Sequence, residues 1–124
     1  MANPNIVNVT SILGETVIGA LTTTLTTVLL TNSASSGKVY KVNSVLISNI
    51  DGTSAADVTF KLATNALGTS TAYSIASTIS VPADATLSIV DKTNSFYLVE
   101  DKSLIGGASA NSDLEYLISY EVIN

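Results

Sequence analysis

Histidine, cysteine, tryptophan and arginine are all missing from this 124-residue chain. Without histidine and cysteine it lacks the commonest general base, the commonest metal ligand and the strongest nucleophile, and a Ser-His-Asp triad is impossible. No cysteine also means no disulfide, which leaves the redox state of the compartment open. Without arginine there is no bidentate clamp for phosphate or carboxylate. The five basic residues, Lys38, Lys41, Lys61, Lys92 and Lys102, are scattered and draw no basic face. With a formal charge of −5 and an isoelectric point near 4.2, nucleic acid is not expected as a partner.

Charge itself is scarce. Only 12% of residues are charged, against roughly 25% in an average globular domain, and serine, threonine and asparagine take their place. A surface this neutral, in a chain 46% hydrophobic, suits a protein packed against other subunits, where charge is depleted at the centre of a contact. Long apolar runs are missing too. The stretch from Val17 to Leu30 is broken by threonines and too short to span a bilayer, and Met1-Ala2-Asn3-Pro4 carries no basic residue before the first apolar run. A soluble, unprocessed chain with no membrane partner is expected.

At 124 residues the chain fits one domain that buries roughly two thirds of its unfolded surface without staples. Its clearest element is the last one. From Leu114 to Ile123, Leu114, Tyr116, Ile118, Tyr120 and Val122 alternate with Glu115, Leu117, Ser119, Glu121 and Ile123. That period of two marks a strand whose first set faces a core. Upstream, Phe96–Val99 reads as a short strand, Glu100-Asp101-Lys102 as a charged corner and Leu104 as the start of another strand. Gly106-Gly107 reads as a bulge or hairpin bend. Thr86–Val90 is a strand after the turn Pro82–Ala85.

In 72–81, Tyr73, Ile75, Ile79 and Val81 form an apolar face opposite a face of small residues, read as an exposed hydroxyl surface. Asp57–Thr64 places Val58, Phe60 and Leu62 on one face. The long strand Lys38–Ile50 carries Val39, Val45 and Ile47 on one side and Tyr40, Val42, Leu46 and Ile50 on the other, as in a central strand or one with a bulge near Asn43-Ser44. Threonine density argues against a helix in Gly14–Asn32, which divides into strands Glu15–Leu21 and Leu25–Thr31. Residues 1–10 read as an arm or edge strand, since Pro4 cannot donate to a ladder. In that arm Asn3, Pro4, Asn5, Ile6, Val7 and Val9 are the candidate subunit interface, by addition to a neighbour's sheet. Eight to ten short strands without a convincing helix predict an all-β, antiparallel β-sandwich or jelly-roll-like domain over residues 11–124.

Candidate chemistry is thin. The carboxylate pairs Glu100-Asp101 and Asp113–Glu115 fall at turns open to water, where nothing separates their pKa values into acid and base. Asp51-Gly52-Thr53-Ser54 with Asp57 offers oxygens but no EF-hand spacing, and is better read as a satisfied turn. No phosphate loop is present. Tyr73, Tyr116 and Tyr120 continue apolar faces and read as core or interface. No catalytic residue, metal ligand or cofactor is expected.

Several stretches taken together are similar to the small all-β virion proteins of tailed phages, including marine and cyanobacterial ones. These are KVYKVNSVLISN at Lys38–Asn49, VPADATLSIVDK at Val81–Lys92, FYLVEDKSL at Phe96–Leu104, ASA at Ala108–Ala110 and SYE at Ser119–Glu121. In such families a loop glycine often sits where Asp101-Lys102 stand here. The resemblance covers Lys38 to the C-terminus and transfers no active-site residue. It implies a structural virion component, assembled in the host cytoplasm. The expected role is a capsid decoration (cement) protein held by symmetric contacts to the major capsid protein or other virion subunits. A homo-oligomer, a trimer above all, is the expected state. The alternative is a tail-fibre or host-recognition adhesin.

Overall fold

The structure, a computed structural model, describes residues 6–124, and its described residues are all-β. Nine strands run β1 (Ile12–Ala20), β2 (Thr27–Asn32), β3 (Val39–Asn49), β4 (Ala56–Ala63), β5 (Ala72–Val81), β6 (Thr86–Val90), β7 (Phe96–Leu98), β8 (Lys102–Ala108) and β9 (Leu114–Ile123). Every pairing is antiparallel. One sheet has the order β1-β9-β3-β6, with β7 also on β3, and the other the order β2-β8-β4-β5.

The topology is that of a folded ribbon. The hairpin β4–β5 lies at the middle of the chain, and β3–β6, β2–β8 and β1–β9 are nested outward from it. Successive nested pairs fall in alternate sheets, and β3–β9 and β4–β8 join them. Such a rolled double Greek key is a jelly roll. It meets the sandwich or jelly-roll expectation, with the strand count inside the expected range.

The core lies between the sheets. Phe60, Ile47, Leu98, Leu104, Leu114, Ile118, Val42, Val45 and Val58 are fully buried there. The closing strand behaves as its pattern requires: Leu114, Ile118, Tyr120 and Val122 are in the core and Tyr116 packs against it. β3 resolves its two apolar faces by a bulge at Asn43, where the register with β9 shifts between Val42 and Ser44. Tyr40 and Val42 before the bulge, and Val45 and Ile47 after it, therefore pack on the same core. Ile50 lies beyond the strand and is exposed.

Three readings need correction. In β5, Tyr73, Ile75 and Ile79 are exposed while Ala76 is buried, so Tyr73 is not a core residue. β5 is the edge of its sheet, and register shifts plus a left-handed Thr78 (φ 47°) disrupt its alternation. Gly106 and Gly107 are not a bend. They lie inside the central strand β8, in unbroken register with β4, and the register shift lies opposite in β2, between Val28 and Leu30. A Cβ on Gly106 would stand 2.5 Å from the Thr59 carbonyl oxygen, and one on Gly107 2.7 Å from that of Thr24. Glycine is needed there because backbone passes so close. Finally, Glu100 is buried rather than open to water.

Candidate functional site

The surface that differs most from an ordinary sandwich is the outer rim of β1. Odd-numbered residues of this strand point to the inner face: Val17 packs against the core, and a Cβ on Gly19 would meet the Tyr116 ring. The backbone has a parity of its own. Ser11 and Asn124 exchange both N–H···O bonds, at 3.1 Å each, and Leu21 N–H donates to Leu114 O at 2.8 Å. In an antiparallel ladder such bonded pairs alternate, so Leu13, Glu15, Val17 and Gly19 bond to β9. The N–H and C=O groups of Ile12, Gly14, Thr16, Ile18 and Ala20 point away from the sheet.

Nothing described covers that rim. Ile12, Leu13 and Ile18 are 54%, 58% and 70% exposed, far above a core residue. The other edges are defended. β2 and β5 carry register shifts, β6 is five residues long and shifted against β3, and β7 has three residues. Folded proteins blunt edges with bulges, lysines, prolines or short strands. β1 has no bulge, lysine, proline or shortening: it is nine residues long in unbroken register with β9, and its single charge is Glu15 on the inner face, engaged by Tyr120.

Beneath the rim lies a small polar cluster. Tyr120 O–H donates to Glu15 Oε1 at 3.4 Å, and the Tyr40 and Tyr120 rings are 5.1 Å apart at 37°. Burial first, and then the Glu15 charge, raise the pKa values of both phenols. The cluster anchors β1 to β9 and β3.

The other candidate residues are structural. Asn32 and Asn49 are buried at the ends of β2 and β3. Asn32 Nδ2 donates to the carbonyls of Lys38 and Leu98, and Asn49 Nδ2 to those of Ser54 and Val81. Glu100 Oε2 accepts the Gly37 N–H at 2.7 Å, closing the loop between β2 and β3. Asp101, in the left-handed region (φ 57°), accepts the Ala66 N–H instead, so the two neighbouring carboxylates serve different loops. Asp51-Gly52-Thr53 and Asp91-Lys92-Thr93 form matching turns in which the carboxylate accepts from the threonine N–H and hydroxyl. These bonds hold both aspartates below the usual carboxylate range, Asp51 chiefly through the backbone N–H and Asp91 chiefly through the hydroxyl. The Asp51 loop is thus a satisfied turn, and among the described residues no group of three or more acids gathers as a metal site.

Of the predicted arm interface, Asn3, Pro4 and Asn5 lie outside the described residues. Ile6 and Val7 are exposed, Val9 is half-buried, and residues 6–10 form turns and bends rather than a strand. Thr10 and Ser11 N–H groups both donate to Asn124 O, tying the start of the chain to its end. The sequence pattern places the candidate interface in this arm and does not single out the edge of β1. The available signal was the run Ile12-Leu13 and Val17-Ile18, apolar on both faces of a strand without lysine or proline. The exposed tyrosines Tyr73 and Tyr97 stand on different sheets and make no common platform.

No protein-family model, curated protein or solved structure matches this chain.

Proposed function

We propose that the chain is a structural assembly subunit of a phage particle, most specifically a capsid decoration protein that ties neighbouring capsid subunits together. The observation that carries the assembly reading is the β1 rim: a nine-residue strand edge, largely apolar and exposed, with no bulge, lysine or proline, on a sandwich whose other edges are short or shifted. An edge of that kind is a template for another strand, with backbone bonds supplying affinity and side chains supplying fit. The low surface charge agrees with it, since charge is depleted where subunits meet. Placement in a virion comes from the resemblance over Lys38 to the C-terminus. The jelly roll is compatible with that placement, being shared by viral capsid, lectin and cupin domains, but fold alone does not carry function.

The mechanism is area and multiplicity. A modest contact repeated by symmetry around a shell makes removal cooperative. Immunogold labelling of purified particles with an antibody to the recombinant protein tests the reading. Regular labelling over heads is the expected result. Labelling confined to tail tips would move the protein to host recognition, and unlabelled particles would sink the virion assignment.

A further inference from the structure

We infer that the β1 rim pairs with β1 of a second copy of this chain, antiparallel about a twofold axis through Thr16, joining two five-stranded sheets into one. This deepens the assembly reading of the same edge and rests on it.

The strand is complementary to itself. Its outward backbone groups belong to even-numbered residues, so a twofold partner must bring even positions opposite even positions. Centring the axis on Thr16 uses the whole strand: Ile12 faces Ala20, Gly14 faces Ile18, and Thr16 faces its own copy. Five bonded pairs then form about ten backbone hydrogen bonds. Side chains agree with that register. On the outer face each isoleucine meets a small residue, Ala20 or Gly14. On the inner face Leu13 meets Gly19, and Glu15 meets Val17 rather than another Glu15. Sliding the register so that the axis passes through residue 15 sets the two Glu15 carboxylates directly opposite, which is destabilising. Centring it on Gly14 leaves Ile18 and Ala20 without partners.

A foreign strand would need no such symmetry, and the sequence supplies it. Among the described residues nothing obstructs the rim: Ile12 to Thr16, Ile18 and Ala20 are all exposed and a Cβ on Gly14 would meet nothing within 4 Å. The contact is isologous and closes at two copies, not at the three favoured by the sequence reading. Nine residues give an edge about 30 Å long, less than a standard interface, so the association is concentration-dependent.

The chain has no cysteine, which makes the test clean. In this register the two Thr16 Cα atoms lie about 5.5 Å apart, within disulfide range, whereas a shift of register carries them out of it. Sedimentation of the wild-type protein should show a mass rising with concentration toward twice 12.8 kDa. T16C should cross-link rapidly on mild oxidation, and Ser88→Cys, exposed on β6, slowly. Thr16→Pro removes an N–H that β9 does not use, and should give a monomer with an unchanged far-UV spectrum. If it fails to fold, Ile18→Lys serves the same purpose. A protein monomeric at all concentrations, a dimer that survives either rim variant, or equal cross-linking at residues 16 and 88 would overturn the pairing. Particle labelling separates the two proposals: a monomer bound to heads overturns this pairing alone, and a cross-linked dimer absent from particles overturns the virion reading alone.

Discussion

Gly106 has no room for a methyl group. The atoms a Cβ would strike, the Thr59 carbonyl oxygen at 2.5 Å and the Phe60 Cα at 3.3 Å, are backbone of the neighbouring central strand and cannot swing aside. Gly106→Ala should destabilise the fold by about 1–3 kcal/mol, as overpacking does in a filled core, measured by urea unfolding. Gly14→Ala is the matched comparison. It has open space at the same chemistry and should be neutral or stabilising by about 0.5 kcal/mol. Equal effects at the two positions would contradict the close approach. The same scale explains the buried asparagines. Each sits where a strand ends and donates to two carbonyls, one bond buried and one part-buried, so its amide replaces the ladder that has stopped. Glu100 does the converse, its carboxylate accepting the Gly37 N–H of the loop between β2 and β3.

At the scale of elements, β1 depends on β9 for all its backbone bonds, and the cluster Glu15–Tyr120–Tyr40 fixes its middle. Both phenols are raised above their usual value, by burial first and Glu15 second. A raised folded pKa favours the neutral phenol. Its contribution to stability is fully present below the unfolded value of about 10 and is lost as pH climbs through the folded value. Ultraviolet titration should show Tyr40 and Tyr120 ionising above the ordinary phenol value, with melting temperature falling over that alkaline range. Glu15→Gln should lower both late transitions. Late transitions unmoved by that substitution would remove Glu15 from the account. Elements were also where pattern reading succeeded or failed by position. Central strand β9 keeps its alternation, and in β4 Val58 and Phe60 are buried as the pattern requires although Thr59 and Ala63 are buried with them. Edge strand β5 does not, because its register shifts rotate side chains off the expected face, so that Ala76 and Val81 enter the core while Tyr73, Ile75 and Ile79 stay exposed. Charges at corners misled for a related reason: Glu100 looked solvated until the loop between β2 and β3 folded over it.

The whole molecule is a set of nested long-range pairs. Ile12 pairs with Ile123, so the outermost ladder closes almost the entire chain. Loop closure must come before such contacts are gained, which places folding in the slow regime of roughly milliseconds to seconds. The β4–β5 hairpin is the most local pairing between the two halves of the ribbon. Stopped-flow refolding should show Val58→Ala in β4 slowing folding, while Ile118→Ala in β9 mainly speeds unfolding. The reverse pattern would place the nucleus in the β1–β9–β3 sheet instead.

The sequence by itself determined the fold class, because alternation, turn residues and the lack of helical pattern are local properties that survive in any β arrangement. It determined the core face of the closing strand for the same reason, and it removed whole classes of chemistry by the residues it lacks. Strand order was decided only by the tertiary structure. Nothing in the local pattern of β1 says that it ends a sheet, that its inner face overhangs, or that its even-numbered backbone groups look outward. An edge is defined by the neighbour that is not there, and only the assembled ribbon shows where that is.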